Sequence, residues 1–473
     1  MNEMKENTEL IFIPAPGIGH IASSLEFANI LTNRYNNLYI TVLCIKLPSI
    51  PSSDSYINSF LASQSQIKLI HLPQLELPSQ DLHKSPEFFI LNYMESLKPH
   101  VKETIQTILS PSSSSSSSSN KVVGLVLDFF CVTMIDVGDE FGIPSYLYVP
   151  SNVGFLSLMC SLQKRRIDEV YDNSNTGNNQ LLNIPGLSNE TPINVLPDPC
   201  FHKDGGYFAY YKLAERFRET KGIIVNTFSD LEQHSIEALH DHDEKIPPIY
   251  AVGPLLDLKG TPNPNLDQSQ HDLILKWLDE QPNKSVVFLC FGSFGFQFVP
   301  SQIREIALGL KNSGVRFLWS NRAEKKVLPD GFFEWMELEG KGMICGWAPQ
   351  VEILGHKAIG GFVSHCGWNS ILESLWFGVP ILTWPIYAEQ QMNAFMMVKE
   401  FGLSVELKID YRRGSDVIVA DEIEKGLKSL MDNDNIVHKK VNEMKKLARN
   451  AVVDGGSSFI SIGKLMDDII GSK

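Results

Sequence analysis

Three separated groups of residues have types and spacings suited to chemistry. The first is Gly361-Phe-Val-Ser-His365-Cys-Gly367-Trp368-Asn369-Ser370. An apolar run ends at Ser364, which places His365 at the carboxyl end of a strand. Gly367 allows a tight turn, and Asn369 or Ser370 is suited to cap a following helix. The amides and macrodipole of such a helix start attract anions, and a diphosphate fits there. Gly292-Ser293 follows another apolar run and offers a hydroxyl and glycine amides. It is not a nucleophile elbow, because Gly-x-Ser-x-Gly needs glycine where Phe291 stands. The second group is Pro14-Ala-Pro-Gly17-Ile-Gly19-His20, and the third is Asp128, which ends the run Val122–Leu127. Gly17-x-Gly19-x-x-Ala22 also matches a dinucleotide fingerprint, which expects an acidic residue roughly 20 residues on. The second apolar run ends instead at Lys46. A lysine suits a 2′-phosphate, so an NADP-linked oxidoreductase stays open.

Over a longer window, Trp347-Ala348-Pro-Gln350, His356, His365 to Ser370, Glu373, Gly378-Val-Pro380 and Glu389-Gln390 resemble, end to end, the donor signature of plant secondary-product UDP-glycosyltransferases (family 1). The resemblance runs the length of the chain and is weakest over residues 157–245. It implies a GT-B fold: two facing Rossmann-like domains with a ligand cleft between them. It implies uracil stacked on Trp347 with the Ala348 backbone at the base edge, and ribose at Gln350 and Glu373. The diphosphate falls to His365, Asn369, Ser370 and Ser293, and the sugar to Trp368, Glu389 and Gln390, with Gly367 and Tyr387 also among the donor-binding residues. These types suit their ligands: an aromatic face for a base, a carboxylate for a diol, neutral or cationic donors for a diphosphate.

In the resembling enzymes the Gly-x-Gly-His turn supplies a catalytic base, here His20, with the Gly17 and Gly19 backbone near donor and acceptor. A matching aspartate, here Asp128, accepts from the base. A neutral imidazole can take the proton of an attacking hydroxyl, and a buried carboxylate fixes its tautomer. Many members have proline where Ser23 stands, a departure expected to touch only the helix start. The implied reaction is inverting transfer of glucose from UDP-glucose to a hydroxyl of a small phenolic, flavonoid or similar lipophilic acceptor, giving a β-glucoside. Glucose follows from Gln390 at the last signature position. UDP-glucose is a co-substrate, and neither cofactor nor metal is implied. Asp241-His-Asp243 and Asp432-Asn-Asp434 match an Asp-x-Asp metal pattern but follow no apolar run, and both read as solvated loops. Phe129, Phe130, Phe155 and Leu187 are candidate acceptor-lining residues. The competing class is a binding protein that holds a small metabolite without catalysis.

These groups need elements to position them. Leu10–Pro14, Tyr39–Ile45, Ile67–His71 and Val122–Leu127 read as buried strands, with helical periodicity over Ile21–Thr32 and Glu87–Ile108. Ser285–Cys290, Arg316–Ser320, Met343–Cys345, Ile359–Ser364 and Ile381–Thr383 read as strands of a second set, with helices at Ser301–Ser313, Ser370–Phe377 and Glu389–Glu400. Strand–helix alternation of this kind predicts parallel sheets covered on both faces. The expected organisation is an acceptor domain over 1–254, a linker over 255–270 rich in Pro, Gly and Asn, a donor domain over 271–455, and a last helix over 456–473 that could pack back on the first domain. Ser112–Ser119 is a serine run with nothing to bury, read as a flexible loop.

The 473 residues suit two domains. A net charge of −14 disfavours nucleic acid and anionic membranes as general partners. Seven scattered cysteines without Cys-x-x-Cys spacing fit a reducing compartment. The polar start and the short run Leu10–Ile13 do not make a signal core, and no run reaches membrane-spanning length. The expectation is a cytoplasmic monomer without membrane insertion.

Overall fold

In the computed structural model, residues 6–47, 53–76, 85–110, 120–162, 181–258, 267–292, 298–322 and 325–471 are described. Two α/β units divide the chain: residues 1–193, 198–257 and 450–473 in one, 194–197 and 258–449 in the other. Residues 259–266 of the expected linker, the serine run and Ser293 lie outside the described residues.

The first unit is built on seven strands: β1 (Thr8–Ile13), β2 (Leu38–Cys44), β3 (Ile67–His71), β4 (Lys121–Asp128), β5 (Ser145–Val149), β6 (Ile223–Val225) and β7 (Ile249–Ala251). All pair in parallel, in the order β3-β2-β1-β4-β5-β6-β7. The second unit has six: β8 (Val286–Cys290), β9 (Arg316–Ser320), β10 (Gly342–Cys345), β11 (Ile359–Ser364), β12 (Ile381–Thr383) and β13 (Ser404–Glu406). They are also all parallel, in the order β10-β9-β8-β11-β12-β13. Both are doubly wound sheets. Their central strands are apolar almost without break, as Leu10–Ile13 and Val286–Leu289 show, because helices cover both faces. Strand order reverses between β1 and β4 and between β8 and β11. At such a reversal the crossovers leave to opposite faces and open a crevice at the carboxyl ends of the strands.

Three helices matter most to the first unit: α1 (Ile18–Arg34), α2 (Val153–Leu162) and α3 (Ser229–His242). Helix α4 (Trp368–Phe377) belongs to the second unit, and α5 (Ser457–Gly471) returns to the first. Helix α5 lays Ile462, Leu465, Met466 and Ile469 into the core with Leu10, Phe12, Tyr146 and Tyr250. Arg34 of α1 donates to the Phe459 carbonyl at 2.6 Å, with its guanidinium 3.6 Å from the Phe459 ring centre. Ser458 donates to the Gly253 carbonyl. Leu465 is fully buried, so Leu465→Ala loses its transfer energy and leaves a cavity, about 2–5 kcal/mol. The expected result is a lower thermal midpoint, followed by circular dichroism, with little change in UDP binding.

Two sequence expectations need correction here. Ser23 is not at the helix start: α1 begins at Ile18, and the Ser23 hydroxyl bonds back to the Gly19 and His20 carbonyls at 3.1 and 3.2 Å. Asp241-His-Asp243 is not a solvated loop: its first two residues close α3, and Asp243 pairs with Arg218 at 2.6 Å. Asp432 follows the helix Ala420–Met431 and accepts from the Asp434 amide at 3.0 Å. Among the described residues no helix is long and apolar enough to cross a membrane.

Candidate active site

In the first unit the turn after β1 carries the chain into α1. Gly17, the residue before the helix, has φ 135°, a backbone state that side chains disfavour. The His20 and Ile21 amides bond to its carbonyl at 3.1 and 3.0 Å. His20 is therefore the third residue of α1. Asp128 ends β4, whose register beside β1 pairs Ile13 with Leu127. The two turns emerge side by side, and His20 Nδ1 lies 2.7 Å from Asp128 Oδ2. The carboxylate is fully buried while the imidazole keeps about a quarter of its surface (27%) exposed. The other carboxylate oxygen accepts from the Phe130 amide at 3.1 Å. With both oxygens engaged the carboxylate is locked, and the proton it draws to Nδ1 leaves the Nε2 lone pair as the basic position. Phe129 and Phe130 flank the imidazole, with ring centres 5.9 and 5.8 Å away. Phe155 is buried and meets Phe129 edge-on at 5.6 Å, one ring removed from His20. Leu187 is half-buried in a turn closed onto the Ile184 carbonyl.

In the second unit the corresponding turns follow β8 and β11. His365 is buried close to two glycines. A Cβ at Gly367 would fall 2.6 Å from its Nε2, and one at Gly292 2.9 Å away. Gly292 also has φ 88°. Burial pushes the His365 ring down to about 4, against a hydrogen bond with the Cys290 backbone that works the other way. The ring is thus neutral at neutral pH, and a bound anion would favour its protonated form. Its Nδ1 is buried with no protein partner among the described residues.

The cap of helix α4 lies two residues before Asn369, the first of the two expected caps. Gly367 is the N-cap and no side chain caps the helix, so Asn369 and Ser370 lie within its first turn. The capping role is corrected, because the left-handed Cys366 (φ 62°) turns the chain into the helix early. What remains is a helix start whose first amides can meet an anion.

Ser370 and Glu373, one turn apart on α4, both accept from Gln350 Nε2, at 2.8 and 2.6 Å. Gln350 opens the next helix after Trp347 and Ala348, both half-buried. The Arg322 guanidinium lies 4.8 Å from the Trp347 ring centre and donates to the Gly292 carbonyl at 3.3 Å. Pairing of Ser364 with Thr383 places the turn after β12 beside that after β11, and Asn393 donates to the Cys366 carbonyl at 3.0 Å. In this turn Gln390 is buried, with its Oε1 accepting from the Ile386 and Tyr387 amides at 3.0 and 3.1 Å. Gln390 thus braces its own loop, and its side chain also hydrogen-bonds the Tyr387 phenol. Ala388 is left-handed at φ 58°. Tyr387 is pushed up to about 12 by burial and then by the nearby Glu389. Trp368 is buried, and Asn369 and Glu389 are half-buried. Among the described residues no group of three or more His, Cys, Asp or Glu is placed to hold a metal.

Sequence reasoning missed Arg322 and Asn393. Arg322 lies two residues beyond a strand end, which was a usable signal. Asn393 sits mid-helix and gave none.

The family described as UDP-glucoronosyl and UDP-glucosyl transferase matches residues 257–449. UDP-glycosyltransferase 71K2 of Pyrus communis is 50% identical, over 98% of this chain and 98% of its own. Flavonol 3-O-glucosyltransferase UGT71C4 of Arabidopsis thaliana is 45% identical, over 98% of each. The crystal structure of Medicago truncatula UGT71G1 complexed with UDP-glucose matches with a TM-score of 0.94 and 76% identity, covering 99% of this chain and 100% of that one. The chain belongs to the plant UDP-glycosyltransferases, enzymes of the GT-B class that transfer glycosyl groups.

Proposed function

We propose that this enzyme transfers glucose from UDP-glucose to a hydroxyl of a small lipophilic acceptor, phenolic or flavonoid, with inversion to a β-glucoside. The observation that carries the reading is the His20–Asp128 pair at 2.7 Å, with the carboxylate buried and the imidazole still exposed. The UDP-glucose held by the Medicago truncatula protein and the flavonol activity named for the Arabidopsis thaliana relative support the donor and the acceptor class.

The acceptor hydroxyl gives its proton to His20 Nε2 as its oxygen attacks the anomeric carbon. Asp128 holds the ring and stabilises the imidazolium. The bond from the anomeric carbon to the UDP oxygen breaks from the opposite face, and UDP leaves with the electron pair. Uracil stacks on Trp347, which requires Arg322 to shift if base and guanidinium use the same face. Glu373 and Gln350 take the ribose hydroxyls. Amides at the start of α4 and His365 take the diphosphate, where charge builds up. Glu389 and Gln390 take the sugar hydroxyls. The enzyme acts as a cytoplasmic monomer, without a metal or other cofactor.

The test is UDP release from UDP-glucose with a panel of phenols. UDP is expected only when an acceptor is present, with the rate unchanged in excess EDTA. Tight retention of acceptor with no turnover from any UDP-sugar would favour a binding protein. Loss of the rate in EDTA, restored by a divalent cation, would overturn the metal-free step.

A further inference from the structure

Glu232 of α3 is as deeply buried as Asp128, each 1% exposed. Its carboxylate accepts from the Val153 amide at 3.0 and 3.1 Å and from the Gly154 amide at 3.2 Å. These are the first two residues of α2. The Phe155 amide is taken by Asn152 Oδ1 at 2.7 Å. The start of α2 is therefore held by two side chains, one of them 79 residues away in sequence. The backbone of α3 breaks helical geometry at Glu232 (φ −132°, ψ 22°), where the carboxylate turns toward α2. A carboxylate beside a helix start also suits the helix dipole.

All ten residues of α2 are buried, so the helix cannot shift without moving its neighbours. Its third residue is Phe155, edge-on to Tyr210 at 6.0 Å and to Phe129 at 5.6 Å. Phe129 packs against Phe130 with ring centres 4.1 Å apart and planes tilted by 33°, and both border His20. A continuous set of packed groups thus runs from Glu232 to the rings that border the imidazole. We propose that Glu232 is a positioning residue for the acceptor: by pinning the first turn of α2 it fixes Phe155, and through Phe129 the aromatic wall beside His20. The inference rests on the proposed role of His20.

Without the carboxylate, two buried amides lose their acceptor and the first turn of α2 relaxes. The test is steady-state kinetics of Glu232→Ala, Glu232→Gln and Glu232→Asp, with thermal midpoints measured alongside. Glu232→Ala is expected to raise the acceptor KM about 10-fold, leaving kcat and the UDP-glucose KM within about 2-fold, because a wall displaced by a fraction of an ångström weakens acceptor placement. Glu232→Gln keeps one acceptor oxygen and restores most of the acceptor KM. A fall in thermal midpoint with an unchanged acceptor KM would overturn the proposal, as would a joint rise in both KM values. If Glu232→Ala does not fold, Glu232→Asp, whose shorter arm cannot reach both amides, must still raise the acceptor KM. A wild-type value there overturns the proposal equally. His20→Ala in the same assay separates the two ideas: retained turnover defeats the base assignment, whereas the Glu232 result concerns acceptor KM alone.

Discussion

His20→Ala is expected to lower kcat by about 10³-fold while leaving UDP affinity within about 2-fold, because general-base catalysis contributes about 10²–10⁴-fold. The imidazole is held by a buried carboxylate at 2.7 Å, and alanine removes the group that takes the proton. Asp128→Asn should show a loss of similar order for a different reason. Both carboxylate oxygens are used, one by His20 and one by the Phe130 amide. An asparagine can serve both only by presenting its NH2 to one of them, which favours the wrong imidazole tautomer or loosens the turn. Single-turnover UDP release together with calorimetric UDP titration checks both variants. Unaltered turnover in His20→Ala would remove the base from the mechanism.

Gly367→Ala is the second large effect expected, and it acts on the donor. The new Cβ would fall 2.6 Å from His365 Nε2, and because the imidazole is buried it can shift only by moving its neighbours. Displacing it also disturbs the start of α4, where Gly367 is the N-cap. UDP affinity is expected to fall about 10- to 100-fold, since misplaced donors near a diphosphate lose most of their value. Gly346→Ala is the control: its nearest neighbour is Gln270 Nε2 at 3.8 Å, ordinary contact, and UDP affinity should hold. The His365 ring adds a pH signature. Its value of about 4 lies below the usual 6.5, so between these pH values the unfolded chain binds more protons than the native one. Stability therefore rises with pH across that window.

The strands that present the site were readable because each is a short, largely apolar run. Ile67–His71, Arg316–Ser320, Ile359–Ser364 and Ile381–Thr383 stand where the runs placed them. Ser145–Val149, Ile223–Val225, Ile249–Ala251 and Ser404–Glu406 went unread; the last three span three residues each, where a local pattern is weakest and pairing decides the strand. The donor box was legible through its joint spacing, but its internal wiring was not. That Gln350 bridges Ser370 and Glu373, that Gln390 braces its own loop, and that Arg322 lies over Trp347 are tertiary outcomes with no local pattern. Glu232 shows the same limit more sharply, since in sequence it is one acidic residue in a polar helix start.

The most direct measurement of the central claim is the anomeric configuration of the glucoside formed from UDP-α-glucose and a phenol, read by proton NMR on the fresh product. Direct displacement assisted by His20 predicts the β-anomer alone, from wild-type enzyme and from whatever residual activity Asp128→Asn retains. An α-configured product would contradict the account.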